Sequence, residues 1–393
     1  MDRTQVPSGP TSRMARFQAA LQERGARAAL ICAPRHIHYL TGHVPAGRSP
    51  AFVLARIGEQ PLLVLGDSEA EAARAATADI AVAPYEDYSI HRVVLRRREA
   101  AQALAQAVAR YHLGKDGPVA IEADDLPAFA APHVAGADVV DIAPTLRALR
   151  ACKDPDEQDK IRRAVAVTNA GHAAAREAAA PGAAEMQVYA AIQRACVLEA
   201  GEPIAFDGDF LSGERTVLMG GAPTDRVLRE GDLFICDLFP TVADYWADTT
   251  RTFAVGAASA AQRELYEVVR GALERGRRAV RPGALASEVY HEMRAAIAEA
   301  GHADRFPHHG GHGIGLEPHE SPWIIPGDDT ALRPGMTMTL EPGVYLEGVG
   351  GVRLEDNYII TRDGADVIPP YPLGLDGQPP GAGATSPSEA DKW

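Results

Sequence analysis

The sequence predicts an α+β protein with two domains, the second of which is built from two similar helix–helix–strand halves. The chain has 393 residues, which is long for one domain, and 46% of them are hydrophobic, enough for more than one core. Two breakers, Pro181-Gly182 and Pro282-Gly283, each divide a pair of long helical segments. In each half a Leu-Arg-x-Gly turn then leads into a strand that ends in an acid.

The first domain is predicted over residues 13–150 and alternates helix-like with strand-like segments. Its helices are predicted at 14–24 and 99–111, and its strands at 28–32, 51–56, 62–65 and 119–122. Strands that alternate with helices indicate an α/β domain. This domain holds no dense cluster of chemically capable residues, so we assign it a supporting role. The flanking segments 1–12 and 374–393 are rich in Gly, Pro and Ser and are predicted to be disordered.

The second domain is predicted over residues 151–373 and carries the internal repeat. Asp154-Pro155 predicts its first helix start, because Pro is favoured at the first helical position and acids in the first turn. The predicted helices are 155–179, 184–200, 260–280 and 285–300, and matched residues are offset by 101 positions (Pro181 and Pro282) or 100 positions (Gly201 and Gly301). The segment LREGDLFICD matches LRPGMTMTLE, with Asp237 and Glu341 each nine positions after the Leu. A pseudo-twofold relation between the halves would bring these two acids face to face.

Each half supplies a second acid, and a glycine-rich segment supplies histidines. Asp248 follows Asp237 by 11 positions, and Glu355 follows Glu341 by 14. Four carboxylates in one buried place repel each other unless a cation neutralises them. His312 lies within GHGIGL, where glycines allow a close approach of the backbone. Mixed carboxylate and imidazole ligands suit Mn, Co, Fe or Zn, and five ligands fit two ions better than one.

These motifs resemble the pita-bread metallohydrolases, a family that includes prolidase, aminopeptidase P, methionine aminopeptidase and creatinase. ICAPRHIHYLTG looks like the family's creatinase-like N-terminal domain, and TLRALRACKDPDEQDKIRRA like the entry into its catalytic domain. The five ligands have the spacing 11–64–29–14, similar to that of bacterial prolidases: Asp237, Asp248, His312, Glu341 and Glu355. The resemblance implies a C-terminal pita-bread fold, a homodimer and two divalent ions per chain. Mn is the expected ion, with Co, Zn or Fe as alternatives.

The resemblance also implies roles for individual side chains. A hydroxide that bridges both metals would attack the scissile carbonyl, with Glu341 as general base. His319 would hydrogen-bond the developing oxyanion, and His308 would line the same pocket. Arg353 would pair with ligand carboxylates, and Tyr245 would lie behind the ligands or in the pocket.

Three positions depart from the family's peptidase pattern. Gly220, within SGERTVLMGG, takes the place of a histidine that positions substrate. Trp323 takes the place of an arginine that grips the dipeptide carboxylate, a contact that an indole cannot make. Arg215 and Arg305 are candidates to replace that arginine. Asp244 stands where the family has Gly before the Tyr, so that loop is rebuilt. We therefore expect hydrolysis to survive better than proline specificity.

Composition excludes some classes and leaves others open. The net charge of −14 disfavours nucleic-acid binding, and no run of about 18 apolar residues predicts a membrane span. The four cysteines form no CxxC pair, and the first residues lack an apolar signal segment, so we expect a cytoplasmic protein. The favoured function is an Xaa-Pro dipeptidase or aminopeptidase acting on a small peptide. The alternatives are a hydrolase of a C–N bond in a cyclic or modified amino-acid derivative, and a non-catalytic binding protein.

Overall fold

The computed structural model describes residues 9–77 and 79–376, and the chain divides into two compact units between Asp156 and Glu157. The first unit is built around one six-stranded mixed sheet. Its helices are α1 (Pro10–Glu23), α2 (Pro34–Thr41), α3 (Ala70–Ala76), α4 (Arg96–Arg110) and α5 (Ala143–Ala151). Its strands are β1 (Ala28–Ile31), β2 (Phe52–Arg56), β3 (Leu62–Gly66), β4 (Ala81–Tyr85), β5 (Val119–Ile121) and β6 (Val139–Asp141).

The sheet of the first unit runs in the order β4-β3-β2-β1-β5-β6. Strands β1, β2 and β3 pair antiparallel, whereas β4, β5 and β6 join in parallel. The central strand β1 is buried along its whole length, as its continuous apolar run AALI requires. The predicted strands and helices of this unit are present, and α4 begins three residues before its predicted start.

The second unit contains two helix pairs and short antiparallel sheets. Its helices are α6 (Pro155–Ala178, which begins just before the division), α7 (Glu185–Ala200), α8 (Ala260–Ala279) and α9 (Ala286–Glu299). The first half supplies β7 (Phe206–Ser212), β8 (Leu233–Val242), β9 (Tyr245–Trp246) and β10 (Thr249–Ala254). The second half supplies β11 (His312–Gly313), β12 (Glu320–Trp323), β13 (Thr337–Leu340), β14 (Gly343–Leu346), β15 (Gly350–Arg353), β16 (Asp356–Ile360) and β17 (Ala365–Val367).

The same pattern of backbone hydrogen bonds occurs within each half of the second unit, which shows that the halves are structural repeats. In the first half, Gly182 N–H donates to Leu228 O and Leu228 N–H donates to Ala183 O, both at 2.8–2.9 Å. In the second half, Gly283 N–H donates to Leu332 O and Leu332 N–H donates to Ala284 O, both at 2.8 Å. Both glycines have positive φ, 94° and 84°, which favours Gly over other residues. The predicted duplication is therefore present in the backbone.

The second helix of each pair also begins in the same way. The side chain of Gln187 accepts a hydrogen bond from Ala184 N–H at 2.8 Å, and Glu288 accepts one from Leu285 N–H at 3.1 Å. Each residue is the third of its helix, so each satisfies a backbone donor that the helix start leaves open. Sheet order continues the likeness: β8 is central in β10-β8-β7, and β13 is central in β12-β11-β13-β16-β17.

The ends of the chain differ from the predicted boundaries. Residues 10–12, predicted as part of a disordered segment, belong to α1, because Pro10 supplies the fixed φ that suits a helix start. Residues 374–376 are also bonded: Gly374 N–H donates to the Tyr266 hydroxyl, and Ala254 N–H donates to Leu375 O. The remaining parts of the two predicted segments, residues 1–8 and 377–393, lie outside the described residues.

None of the helices in the described ranges combines the length and the apolar character that crossing a membrane requires.

Candidate metal centre

Two strand pairs place the predicted acids at one point of the second unit. In the first half, Asp237 lies within β8 opposite Thr250, not at the end of its strand as predicted, because β8 continues to Val242. Asp248 immediately precedes β10. In the second half, Leu340 pairs with Asp356, so the neighbouring acids Glu341 and Glu355 lie at the same end of β13 and β16.

A backbone contact brings the two strand pairs together. Glu355 N–H donates to Thr250 O at 3.0 Å, and Arg353 N–H donates to the Thr252 hydroxyl at 3.1 Å. These bonds connect β10 of the first half with the turn between β15 and β16 of the second. The carboxylates of both halves therefore converge where the halves meet.

His312 reaches the same point from β11, where the flanking glycines let the backbone pass very close to neighbouring backbone carbonyl groups. A Cβ on Gly311 would lie 2.1 Å from Thr339 O, and one on Gly313 would lie 2.4 Å from Ser321 O. Gly311 also has a φ of 148°, which other residues rarely adopt. The His312 Nε2 atom lies 3.6 Å from Asp248 Oδ2 and 3.5 Å from Glu341 Oε1.

The five predicted ligands are nearly inaccessible to solvent, and this changes their protonation. Burial raises the pKa of Asp248 and of Glu355 well above their ordinary values, and neighbouring carboxylates raise both further. Burial also acts to raise the pKa of Glu341, but the adjacent histidines outweigh it and lower that pKa to about 2. Burial lowers the pKa of His312 to about 4, so its imidazole is neutral and able to bind a cation.

Orphaned oxygens show that the carboxylates fit a metal. Within the described part of the chain, each of the four carboxylates keeps one buried oxygen without a hydrogen bond: Asp237 Oδ1, Asp248 Oδ1, Glu341 Oε1 and Glu355 Oε1. Such oxygens are costly to bury unless a cation or donor satisfies them. One ligand atom from each of Asp248, His312 and Glu355 lies within 4.8 Å of the other two. The donor set is that of a site for divalent cations.

Other side chains hold the second oxygen of two of the predicted ligands, Asp237 and Glu355. Arg353 Nη2 donates to Asp237 Oδ2 at 2.7 Å and to Asp209 Oδ2 at 2.9 Å. Thr250 donates its hydroxyl to Glu355 Oε2 at 3.0 Å. Arg353 thus contacts the carboxylate of a predicted ligand. Asp209 and Thr250 were not predicted from the sequence.

The predicted pocket histidines occupy different environments. His319 stacks on Trp323, with ring centroids 5.7 Å apart and an interplanar angle of 7°, and its ring centroid is 4.2 Å from that of His312. His308 Nδ1 donates to His309 O at 2.7 Å, so its Nε2 accepts from the Tyr345 hydroxyl at 2.9 Å. Burial lowers the pKa of His308 to about 4 and also lowers that of His319, so both are neutral at neutral pH.

His309 lies at the candidate site, although the sequence pattern does not single it out. Its Nδ1 lies 3.0 Å from Glu341 Oε1, and the two residues form a second possible metal-binding group with His308. Burial acts to lower the pKa of His309, but its contact with Glu341 outweighs this and raises it.

Gly220 and Trp323 both border the site. A Cβ on Gly220 would lie 3.0 Å from Asp209 Oδ2, so residue 220 faces the carboxylate that Arg353 holds. Trp323 pairs with His312 across β11 and β12. Of the three positions that depart from the family pattern, Trp323 is therefore next to a predicted ligand, and Gly220 is next to a carboxylate that shares Arg353 with one.

Tyr245 and Arg215 are each bonded to an acid outside the five predicted ligands. Tyr245 donates its hydroxyl to Glu157 Oε1 at 2.8 Å, and Lys160 lies over its ring, so it packs on α6. It faces this way because Ala243 and Asp244, both with positive φ, form a two-residue turn that aims the β9 hairpin. Arg215 forms an ion pair with Glu185 and donates to Ala222 O at 2.9 Å, which ties down a loop.

The comparisons with known proteins place the chain in a family. Residues 159–362 match the model described as Metallopeptidase family M24, and residues 13–152 match the Creatinase/Prolidase N-terminal domain. The first match covers more than half of the chain. The chain belongs to metallopeptidase family M24, whose membership implies divalent metal ions.

Several named relatives are peptidases. The chain is 39% identical to the Xaa-Pro dipeptidase of Pyrococcus furiosus over 220 residues, which are 56% of this chain and 63% of that protein. The match to the putative dipeptidase YkvY of Bacillus subtilis is 30% identical and covers 93% of this chain and 99% of that one. The structure of an Xaa-Pro dipeptidase from Bacillus anthracis superposes with a TM-score of 0.83 at 26% identity, over 94% of this chain and 99% of that chain. The prolidase of Pyrococcus horikoshii gives a TM-score of 0.80 at 29% identity, over 92% and 99%.

Proposed function

We propose that this chain is a metal-dependent peptidase that hydrolyses the amide bond of Xaa-Pro dipeptides. The observation that carries the proposal is the convergence of four buried carboxylates, each with an unpaired oxygen, beside a neutral imidazole. Family membership and relatives named Xaa-Pro dipeptidase support it. The comparisons do not favour a non-peptide hydrolase or a binding protein.

Five residues would hold two divalent ions in this proposal: Asp237, Asp248, His312, Glu341 and Glu355. When bound, such ions lower the pKa of water and polarise a carbonyl group, which together promote attack on an amide. Mn is the proposed ion, since carboxylate oxygens dominate the set and suit Mn.

Glu341 is the proposed general base. Its pKa of about 2 keeps it ionised at neutral pH, so it can accept a proton. Its unpaired Oε1 atom faces the other ligands, the place from which it could take that proton. His319 is neutral at neutral pH and can donate an N–H to the oxygen on which charge develops.

His308 has a positioning role in this proposal. Both of its ring nitrogens are already bonded, one to a backbone carbonyl and one to Tyr345. Tyr345 in turn accepts from Arg353 Nη1 at 3.3 Å. His308 would therefore orient Tyr345 and, through it, the arginine that holds Asp237.

Trp323 and Gly220 would shape the leaving-group side of the pocket. The indole and the His319 ring lie parallel, which offers a flat apolar wall suited to a ring such as that of proline. Gly220 leaves the space that a side chain would fill beside Asp209.

A direct assay tests the proposal. The metal-stripped chain is reloaded with Mn, Co or Zn and given Xaa-Pro dipeptides, longer Xaa-Pro peptides and amides without proline. We expect turnover of Xaa-Pro dipeptides that depends on added metal. If only an amide without proline is hydrolysed, the proposed substrate class is wrong. If no substrate is hydrolysed with any metal, the proposal that the chain is an enzyme is wrong.

We also propose a cytoplasmic homodimer. All four cysteines are free, which suits a reducing compartment. The dimer rests on the family resemblance alone, and light scattering of the purified chain tests it: a monomer mass would reject it.

A further inference from the structure

The contact between His309 and Glu341 is unlike an ordinary hydrogen bond. His309 Nδ1 and Glu341 Oε1 lie 3.0 Å apart. Among the described residues, both atoms are buried, and neither has a hydrogen-bond partner. The two atoms are therefore close, but they are not aligned along an N–H···O direction.

The separation matches that of two ligands on one ion. Ligand atoms bound at about 2.1 Å and at right angles to each other lie about 3 Å apart. Glu341 Oε1 is also 3.5 Å from His312 Nε2, so two imidazole nitrogens face the same oxygen. A cation beside this oxygen would satisfy all three atoms at once.

The backbone fixes this arrangement. Glu341 N–H donates to Gly310 O at 2.9 Å, and Gly310 N–H donates to Ile324 O at 2.7 Å. Gly310 follows His309 directly, so the residue beside the imidazole is bonded to the residue that carries the carboxylate. A Cβ on Gly310 would lie 2.4 Å from Met293 Cε, which shows how closely this segment packs.

The adjacent His308 has a different environment. Its two ring nitrogens are bonded to His309 O and to the Tyr345 hydroxyl. Of this neighbouring pair, His309 is therefore the one whose Nδ1 lies at the carboxylate and is not used in a hydrogen bond.

We propose that His309 is an additional metal ligand, which binds through Nδ1 the ion that Glu341 also holds. The proposal rests on the proposed function, because it adds a sixth residue to the five already assigned. Imidazole suits Zn and Co, whereas carboxylate suits Mn. His309 thus shifts this position toward Zn and Co relative to a site with five ligands.

Calorimetric titration of the metal-stripped full chain tests the proposal with Zn, Co and Mn separately. The variants are His309→Ala and His309→Gln, with His312→Ala as the reference for loss of a ligand. Exposed His291 on α9 offers the matched control His291→Ala. Gln keeps an N–H that can donate to Glu341 but is a poor ligand, so it separates ligation from hydrogen bonding.

We expect both His309 variants to lose about 10- to 100-fold in affinity for Zn and Co at one position, the loss seen when a metal site's support is removed. The loss for Mn should be smaller, so the preference for Zn over Mn falls. The visible spectrum of the Co-loaded chain should also change in both variants. His291→Ala should match the parent chain throughout.

Unchanged Zn affinity and an unchanged Zn-to-Mn ratio in His309→Gln would overturn the proposal, even if His309→Ala fails to fold. Loss in His309→Ala with recovery in His309→Gln would likewise overturn it and assign a hydrogen-bonding role. In both cases His312→Ala would still lose binding, and the proposed function would stand. A parent chain that binds no metal would overturn the proposed function as well.

Discussion

The two halves of the second unit share a backbone plan but carry different chemistry. Equivalent glycines, helix starts and central strands occur in both, and each half delivers two carboxylates to the centre. The first half supplies two aspartates, with Asp209 opposite Asp237 in β7. The second half supplies two glutamates, the histidines of the site and Arg353, which supports an aspartate of the first half.

The repeated backbone and the specialised side chains therefore have different roles. The repeated scaffold sets the meeting point of four carboxylates, and neither half holds the full donor set by itself. The side chains assigned to proton transfer and substrate contact lie in the second half, and the first half contributes only the space beside Gly220. We therefore expect metal binding to need both halves equally, and the other steps to depend mainly on the second.

The largest effect should come from neutralising one carboxylate in each half. Asp248→Asn and Glu355→Gln should each abolish detectable turnover and strongly weaken metal binding, because the ions lose a charged ligand. Both should also stabilise the metal-free chain at neutral pH by about 0.5–2 kcal/mol, because burial and neighbouring carboxylates disfavour these charges. Metal titration and thermal unfolding with and without metal measure both effects. A clear metal-binding defect in only one of the two variants would contradict the expectation that both halves are needed equally for metal binding.

Glu341→Gln should lower kcat by about 100- to 10,000-fold, the range for loss of a general base. Gln keeps the size of the side chain and one carbonyl oxygen, so the fold should survive. Kinetics at saturating metal measure the change, and circular dichroism is the control for folding. Nearly full kcat in this variant would remove Glu341 from the base role.

Arg353→Met should destabilise the chain by about 3–5 kcal/mol, because Asp237 and Asp209 would lose their buried cationic partner. Metal affinity should fall about 10- to 100-fold, since Asp237 would no longer be oriented. Arg353→Lys keeps the charge but not the two-pronged geometry and should recover part of the stability. Chemical denaturation and metal titration give both values. Equal results for Met and Lys would show that the charge is unimportant.

The smallest effects should come from the packing between the helices of each pair. A Cβ on Gly171 of α6 would lie 2.7 Å from both Cys196 Sγ and Leu238 Cδ1, and one on Gly276 of α8 would lie 2.5 Å from Met293 Cγ. Gly171→Ala should destabilise by about 1–3 kcal/mol, and Gly276→Ala by less, because Met293 is flexible.

Gly271 provides the control for these two substitutions. A Cβ there has no atom within 4 Å, so Gly271→Ala on the exposed side of α8 should stabilise by about 0.5–1 kcal/mol. Denaturant unfolding compares the three variants. Destabilisation by Gly271→Ala would mean that helix geometry, not packing, explains the losses in the other two.

The sequence predicts most of the fold and the convergence of the four acids, because both depend on periodic patterns and fixed offsets. Asp237 and Glu341 come nine residues after equivalent turns, and each sits at its own half's central strand. Asp209 could not be found in this way, since its contact arises from the cross-strand pairing of β7 and β8. Asp207 and Asp209 are two residues apart in β7, and this spacing alone is only a weak indication that Asp209 belongs to the site.

Nearness in sequence does not show which group a side chain contacts. Tyr245 is three residues before Asp248, and its hydroxyl donates to Glu157 of α6, a contact that the sequence pattern does not reveal. His309 is adjacent to His308, but only the three-dimensional structure shows which of the two faces Glu341.

An anomalous difference map from crystals soaked in Mn shows directly whether both halves hold the metal centre. We expect two peaks per chain, both enclosed by Asp237, Asp248, His312, Glu341 and Glu355. Absence of peaks at these residues, or peaks bound by one half alone, would contradict a metal centre shared between the two halves.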